Sequence, residues 1–502
     1  MKKFATSLSI ILLISTNSVI AQWWNPFDWG TYKDERFGEG QYWEKDAQRY
    51  QNWPYTTFNL SGDPKVGGCS LNLTQQIDSI RNLIKAGQPD TAHGKAKNIY
   101  FEIYRQLYDF ASKKEPDPSK ATVKDLSTQP AYAKAKAFIY LIKLDLNCND
   151  LSDPARDIIG WEAEHALLNI NTDVSSGDLE NTIDYLLNRG RELIDAVQAY
   201  DLLKAGGRLL YDRNKDDPTP RKAIRKLAAN IYNEADNFWG VILCPTGWRK
   251  NHGINIAAAL GIAAIVFNEA STDGWENWQP DHWARMAHWG MQSCLFECSA
   301  PVSARGGIYS YSEGPDYFDY GMLESALPFF IAFNNFVTPT HESWTFPHGR
   351  GDLGSKRTLN YINDPDIKNL FEWRYQIQLP DGTRPTYDNS SIGATVGLGM
   401  YNKEYNNLPD GNYDFGSVDL RVDYLATMPF IPKTESRIKD GFTRLDSSGN
   451  IIVRMTPKKT GAKHYFHMLY ENGVANDIPN YDILGQAEET LFCLSSRRLC
   501  LS

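Results

Sequence analysis

The residues best suited to orienting a substrate and moving a proton fall in one stretch of this chain, Gly247 to Gly321. It opens with GWRKNHGIN, where Asn251, His252 and Asn255 stand at the mouth of a segment that is otherwise almost all Ala, Ile, Leu and Gly. Such a segment reads as a helix buried on every side, so polar groups at its start need a reason. Two are open. Asn251 is a helix N-cap with His252 bonded to a nearby carbonyl, or the helix start is an anion site where Asn and His grip a carboxylate. The stretch closes with YSYSEGPDYFDYG, in which Glu313 and a Gly-Pro turn precede a helix expected from near Phe318. Tyr317 and Tyr320 are three apart, so a helical start sets both on one side. They are either aromatic plugs on a helix end or phenols placed for proton transfer. A free phenol titrates at about 10, so a tyrosine acting as base needs a cationic neighbour.

Those residues need a scaffold, and the pattern around them is helical. From Leu73 to Ile84 apolar residues fall three and four apart, as an amphipathic helix requires. The same spacing predicts helices over Lys95–Ala111, Ala131–Leu146, Ile158–Leu168, Leu179–Leu203, Pro220–Phe238, Asn251–Glu269, Asp281–Cys298 and Tyr320–Phe336. Short polar loops such as Lys215-Asp216-Asp217-Pro218 separate them, so serial antiparallel hairpins are expected. No fixed-period repeat runs through them, which argues against a consensus solenoid and leaves a closed ring of helix pairs open. Ahead of them, Trp23 to Tyr55 is aromatic and Gly-rich without a period, and is expected to wrap over the surface of the helical body.

From about Arg437 the texture turns to β. Phe442–Leu445, Asn450–Met455 and His464–Tyr470 are rich in β-branched and aromatic residues, with turn signals at Ser447–Asn450 and Lys458–Gly461 between them. What remains is short for a self-sufficient sandwich. The strands either dock on the helices or open a longer domain that is cut short, and the second is the expectation.

With 502 residues, of which 42% are hydrophobic, the chain is globular and long enough for two domains. The net charge is −9 with Lys and Arg dispersed, which argues against a nucleic-acid partner. A local cationic patch would still suffice for a polyanion. Fourteen Trp and 27 Tyr either fill gaps between helices or stack sugars in a cleft. Lys2 and Lys3, the apolar run Leu8–Ile14 and Val19-Ile20-Ala21 read as a secretory signal over residues 1–21, so a secreted or periplasmic address is expected, with no membrane span. Seven cysteines are compatible with an oxidising compartment. Cys294 and Cys298, with Cys244 and His288, could be imagined around a metal; buried thiols or one disulfide are the expectation, with no metal and no cofactor.

Four passages in order, GWRKNHGIN, EGPDYFDYG, Leu379–Ser390 and Ile451–Glu489, resemble the uronic-acid polysaccharide lyases of the heparinase II/III and alginate lyase group. The likeness covers roughly residues 235 to 490. It implies a mostly α fold, an (α/α) toroid of paired helices over residues 22–434, followed by an incomplete antiparallel β-sandwich over 435–502. It implies an anionic polysaccharide substrate and β-elimination at C4–C5 of a uronate. Asn251 and His252 match the carboxylate-neutralising position, and Tyr317 the tyrosine that protonates the leaving oxygen or does both proton jobs. Arg249, Asn255, Arg305, Glu313, Tyr320 and Arg384 make up the implied substrate-binding set. In this group a β-domain His shortly before an Asp often completes the site, whereas Glu471–Asp477 here holds no His. His341, His348, His464 and His467 are the substitutes, unless the base is Tyr317 or His252.

Two other classes compete. An (α/α)-barrel glycoside hydrolase would use paired carboxylates, for which Glu313, Asp316 and Asp319 are available. A non-catalytic glycan-binding protein would need the aromatic rings and not Tyr317.

Overall fold

The computed structural model describes residues 54–58, 73–91, 94–113, 129–174, 179–208, 219–237, 250–267, 280–292, 294–295, 311, 314–336, 343–345, 356–358, 361–379, 385, 397–402, 405, 418–427, 440–445, 450–461, 463–469, 492–495 and 499–501. Most of these are helical. Among the described residues, the first eight helices are α1 (Leu73–Ala86), α2 (Ile99–Ala111), α3 (Gln129–Ile142), α4 (Asp153–Leu168), α5 (Leu179–Ala205), α6 (Pro220–Asn237), α7 (Lys250–Val266) and α8 (Pro280–Gln292). A short α9 (Gly314–Phe318) runs into a π-helical segment, Asp319–Ala326, and then α10 (Leu327–Phe336). A small antiparallel pair, β1 (Ser343–Thr345) with β2 (Lys356–Thr358), precedes α11 (Pro365–Gln376), α12 (Leu398–Tyr401) and α13 (Val418–Thr427).

Local signals explain several helix starts. Asn98 caps α2, its Oδ1 accepting from Phe101 N at 3.0 Å. Asp364 caps α11 in the same way, with Pro365 just inside. Pro154 opens α4 at Asp153, ahead of the expected Ile158. Helices α11 and α13 escaped the periodicity reading. In α11 the apolar Ile367, Leu370 and Phe371 are buried beside a fully buried Arg374, and that charge obscures the pattern.

Helix α5 is central, packing on both α3 and α7, while α7 also packs on α8, α10 and the π segment. Every residue of α7 from Asn251 onward is buried, as its composition predicts. Helix α13 returns to the first described helices and packs on α1, α2 and α3. The Gln76 amide donates to Ala426 O at 2.7 Å. Lys134, fully buried on α3, reaches Asp195 on α5 at 3.1 Å and Asp423 on α13 at 3.3 Å. Gln198 donates to the same Asp423 carboxylate at 3.1 Å. One buried cation thus holds an early, a middle and a late helix together.

The strands β3 (Gly441–Leu445), β4 (Asn450–Met455), β5 (His464–Leu469), β6 (Phe492–Ser495) and β7 (Leu499–Leu501) form an antiparallel sheet in sequential order. The first three fall where the strand signals place them. Leu445, Ile452, Arg454, Tyr465 and His467 supply its buried face. This face docks on the helices at the end of α11: Tyr465 OH donates to Ile377 O at 2.8 Å, and Arg454 Nη2 donates to Gln378 O at 3.0 Å and to Gln376 O. The docking expected as one outcome for these strands is observed. Among the described residues, no helix is long and apolar enough to cross a membrane.

Candidate active site

The two stretches singled out in the sequence meet at Gly321. A Cβ built there would stand 2.8 Å from Tyr311 OH, 3.4 Å from Asn251 Cα and 3.5 Å from Asn251 Cβ. Only a residue without a side chain lets the start of α7 and the tyrosine-bearing segment close this far.

A second contact fixes their register. Asn255, one turn into α7 and fully buried, donates through Nδ2 to Ser325 Oγ at 2.9 Å, and Ser325 Oγ donates to Tyr320 O at 3.1 Å. Asn255 is therefore a positioning residue, hydrogen-bonded to protein and not facing solvent. Its other side is pressed on α5, where a Cβ at Gly190 would lie 2.0 Å from Asn255 Oδ1. Asn251 and His252 are also buried, and both lie inside the first turn of α7, not ahead of it. The N-cap reading of Asn251 is corrected accordingly.

The tyrosine segment also differs from expectation. Gly314 and Pro315 open helix α9, so Tyr317 sits within a helix and not in the loop before one. Proline in a first helical turn gives up only a backbone donor that has no helical partner there. From Asp319 the turn widens to a π segment, closed by a bond from Leu327 N to Met322 O. Such insertions recur at functional sites because they shift side chains off the regular helical face. The Tyr317 and Tyr320 rings lie 6.3 Å apart, on one side as their spacing predicts. Tyr317 is half-buried and Tyr320 exposed.

Carboxylates near the tyrosines are tied into the fold. Asp319 is buried and held by both Nε and Nη2 of Arg374 at 3.1 Å, a bidentate pair that fixes its carboxylate in place. Asp316 is buried as well. Arg249, Arg305, Glu313 and Arg384 lie outside the described residues, as do His341, His348, Cys244 and Cys298.

Two groups the sequence left unmarked join the site. Arg191, on α5 beside Gly190, places its guanidinium 4.6 Å from the Tyr320 ring centroid and pairs through Nη2 with Glu324 on the π segment. Its only sequence signal is the neighbouring glycine, since RGREL reads as an ordinary charged helix face.

Two proposed roles are narrowed. His467, considered as a base, is buried in the sheet beneath Arg454; burial first, and then that guanidinium, pull its pKa down to about 3. It stays neutral and enclosed. His288, considered as a metal ligand, is fully buried and hydrogen-bonded to Tyr361 OH at 2.8 Å, and burial lowers its pKa to about 3. Among the described residues there is no cluster of three or more His, Cys, Asp or Glu that could hold a metal ion.

A scan of protein-family models and a search of curated proteins found no match to this chain.

Proposed function

We propose that this chain is a polysaccharide lyase that cleaves a uronic-acid polysaccharide by β-elimination, on helix pairs closed into an (α/α) toroid. The observation that carries the reading is the contact at Gly321, which puts the Asn251-His252 turn against the tyrosine segment. The return of α13 onto α1, α2 and α3 supports the ring.

Asn251 and His252, at a helix start whose N–H groups favour negative charge, receive the uronate carboxylate. Neutralising it acidifies the C5 proton. A base takes that proton, the C5–H pair becomes the C4–C5 double bond, and the C4–O4 bond breaks. Tyr317 protonates the departing O4, or serves as base and then acid. The reading uses no cofactor. A glycoside hydrolase would need two carboxylates open to the glycosidic bond; the engagement of Asp319 by Arg374 and the burial of Asp316 weigh against that alternative. The leader-like residues 1–21 support an exported enzyme.

Tyr317→Phe tests the assignment. The phenol is needed only for proton transfer, so turnover falls by roughly a hundredfold or more while binding of an acidic oligosaccharide holds. Full activity in Tyr317→Phe removes Tyr317 from the mechanism.

A further inference from the structure

We infer that Arg191 is a substrate-binding residue, contacting an acidic group on the sugar chain beside the reacting uronate, with Glu324 as a built-in competitor for its charge. The inference rests on the polyuronate reading of the same site. Arg191 comes from α5, an element none of the other candidate residues uses, yet its guanidinium lies over Tyr320, whose ring is next to that of Tyr317.

The placement suits an incoming anion. The Arg191 side chain is 29% exposed and that of Glu324 10%, so solvent meets the cation before its acid. Glu324 engages Nη2, which leaves other donors of the five-donor guanidinium to grip a second carboxylate or a sulfate. Stacking on Tyr320 fixes the guanidinium plane, so little freedom is lost when a ligand binds. In a chain of net charge −9, attraction for a polyanion has to be local, and the Glu324 partner holds that attraction down until substrate replaces it.

Opposite shifts from the two partners separate this role from a structural ion pair. Binding of tetramannuronate, tetraglucuronate and neutral cellotetraose is measured by calorimetry for the full chain, for Arg191→Gln, for Glu324→Gln and for the double variant, each checked by thermal melting. Arg191→Gln weakens binding of the acidic tetramers roughly tenfold. Glu324→Gln tightens it several-fold, the double variant shows no such gain, and a rise in salt shrinks the effect. A gain from Glu324→Gln that survives in the double variant, or its absence from a folded Glu324→Gln chain, overturns the inference. Acidic tetramers bound by the unaltered chain with no response to either substitution leave the lyase reading standing and remove Arg191. Arg191-dependent binding without any elimination product does the reverse. Failure of the unaltered chain to bind any acidic tetramer overturns both.

Discussion

Asn255 on α7 hydrogen-bonds Ser325 of the π segment at 2.9 Å, deep in the protein, so the Asn251-His252 turn and the tyrosines share one rigid tie. Both groups are fully buried; removing Ser325 takes away the acceptor of the Asn255 amide, and removing Asn255 leaves Ser325 only its bond to Tyr320 O. Asn255→Ala and Ser325→Ala each cost roughly 1–3 kcal/mol of stability, and the double variant costs less than their sum. Urea denaturation of the four proteins measures this. Additive losses would show that the tie is not one unit.

The close approach of α5 and α7 makes a sharper demand at Gly190. A methyl group there cannot be accommodated without moving the Asn255 side chain, whose Oδ1 would lie 2.0 Å away. Gly190→Ala is expected to destabilise by about 1–3 kcal/mol despite the higher helix propensity of alanine. A gain in melting temperature would mean the two helices stand further apart.

Lys134 joins α3, α5 and α13 by pairing with Asp195 and Asp423 out of contact with water. Lys134→Met leaves two buried carboxylates without their cation and is expected to cost roughly 3–5 kcal/mol. Adding Asp423→Asn restores part of the loss. Equilibrium unfolding of the pair decides it, and an unchanged midpoint in Lys134→Met contradicts this packing of α13.

Stability should peak between acid and alkaline limbs. Burial raises Glu192 to about 8, against the pull of Arg189, and raises Asp201 to about 7, against its hydrogen bonds from Thr56. A carboxyl with a raised folded pKa favours folding most at low pH, and that contribution is lost as pH climbs through about 7 to 8. His288 and His467 act in the opposite sense: their lowered values favour folding above about 6.5, an advantage lost as pH falls towards 3. Melting temperature against pH therefore forms a dome centred near about 6. Asp201→Asn flattens its alkaline side; an unaltered slope there would show that Asp201 is charged in the fold.

The helical scaffold was readable in the sequence because helices such as α1 and α2 bury one periodic face and α7 buries all of its faces. Strands β3 to β5 were readable too, since their alternation survives where one face is buried and docks at the end of α11. Helix α13 was hidden because a charged residue is internal: Asp423 breaks the apolar pattern, and its partner Lys134 lies far away in the chain. The site was legible as two motifs, Asn251-His252 and the tyrosine run, because rare residue types cluster there. Their meeting at Gly321, the supporting role of Asn255 and the arrival of Arg191 from α5 depend on tertiary contacts that no local spacing encodes.

Elimination leaves a product with a signature that hydrolysis and simple binding lack: an unsaturated uronate that absorbs in the ultraviolet. The full chain is incubated with alginate, glucuronan, heparan sulfate, chondroitin and hyaluronan, and ultraviolet absorbance is followed over time. A rise on at least one polyuronate, absent in Tyr317→Phe, is the predicted result. Chain shortening on any of the five without that absorbance, or no reaction on all five, contradicts the lyase reading.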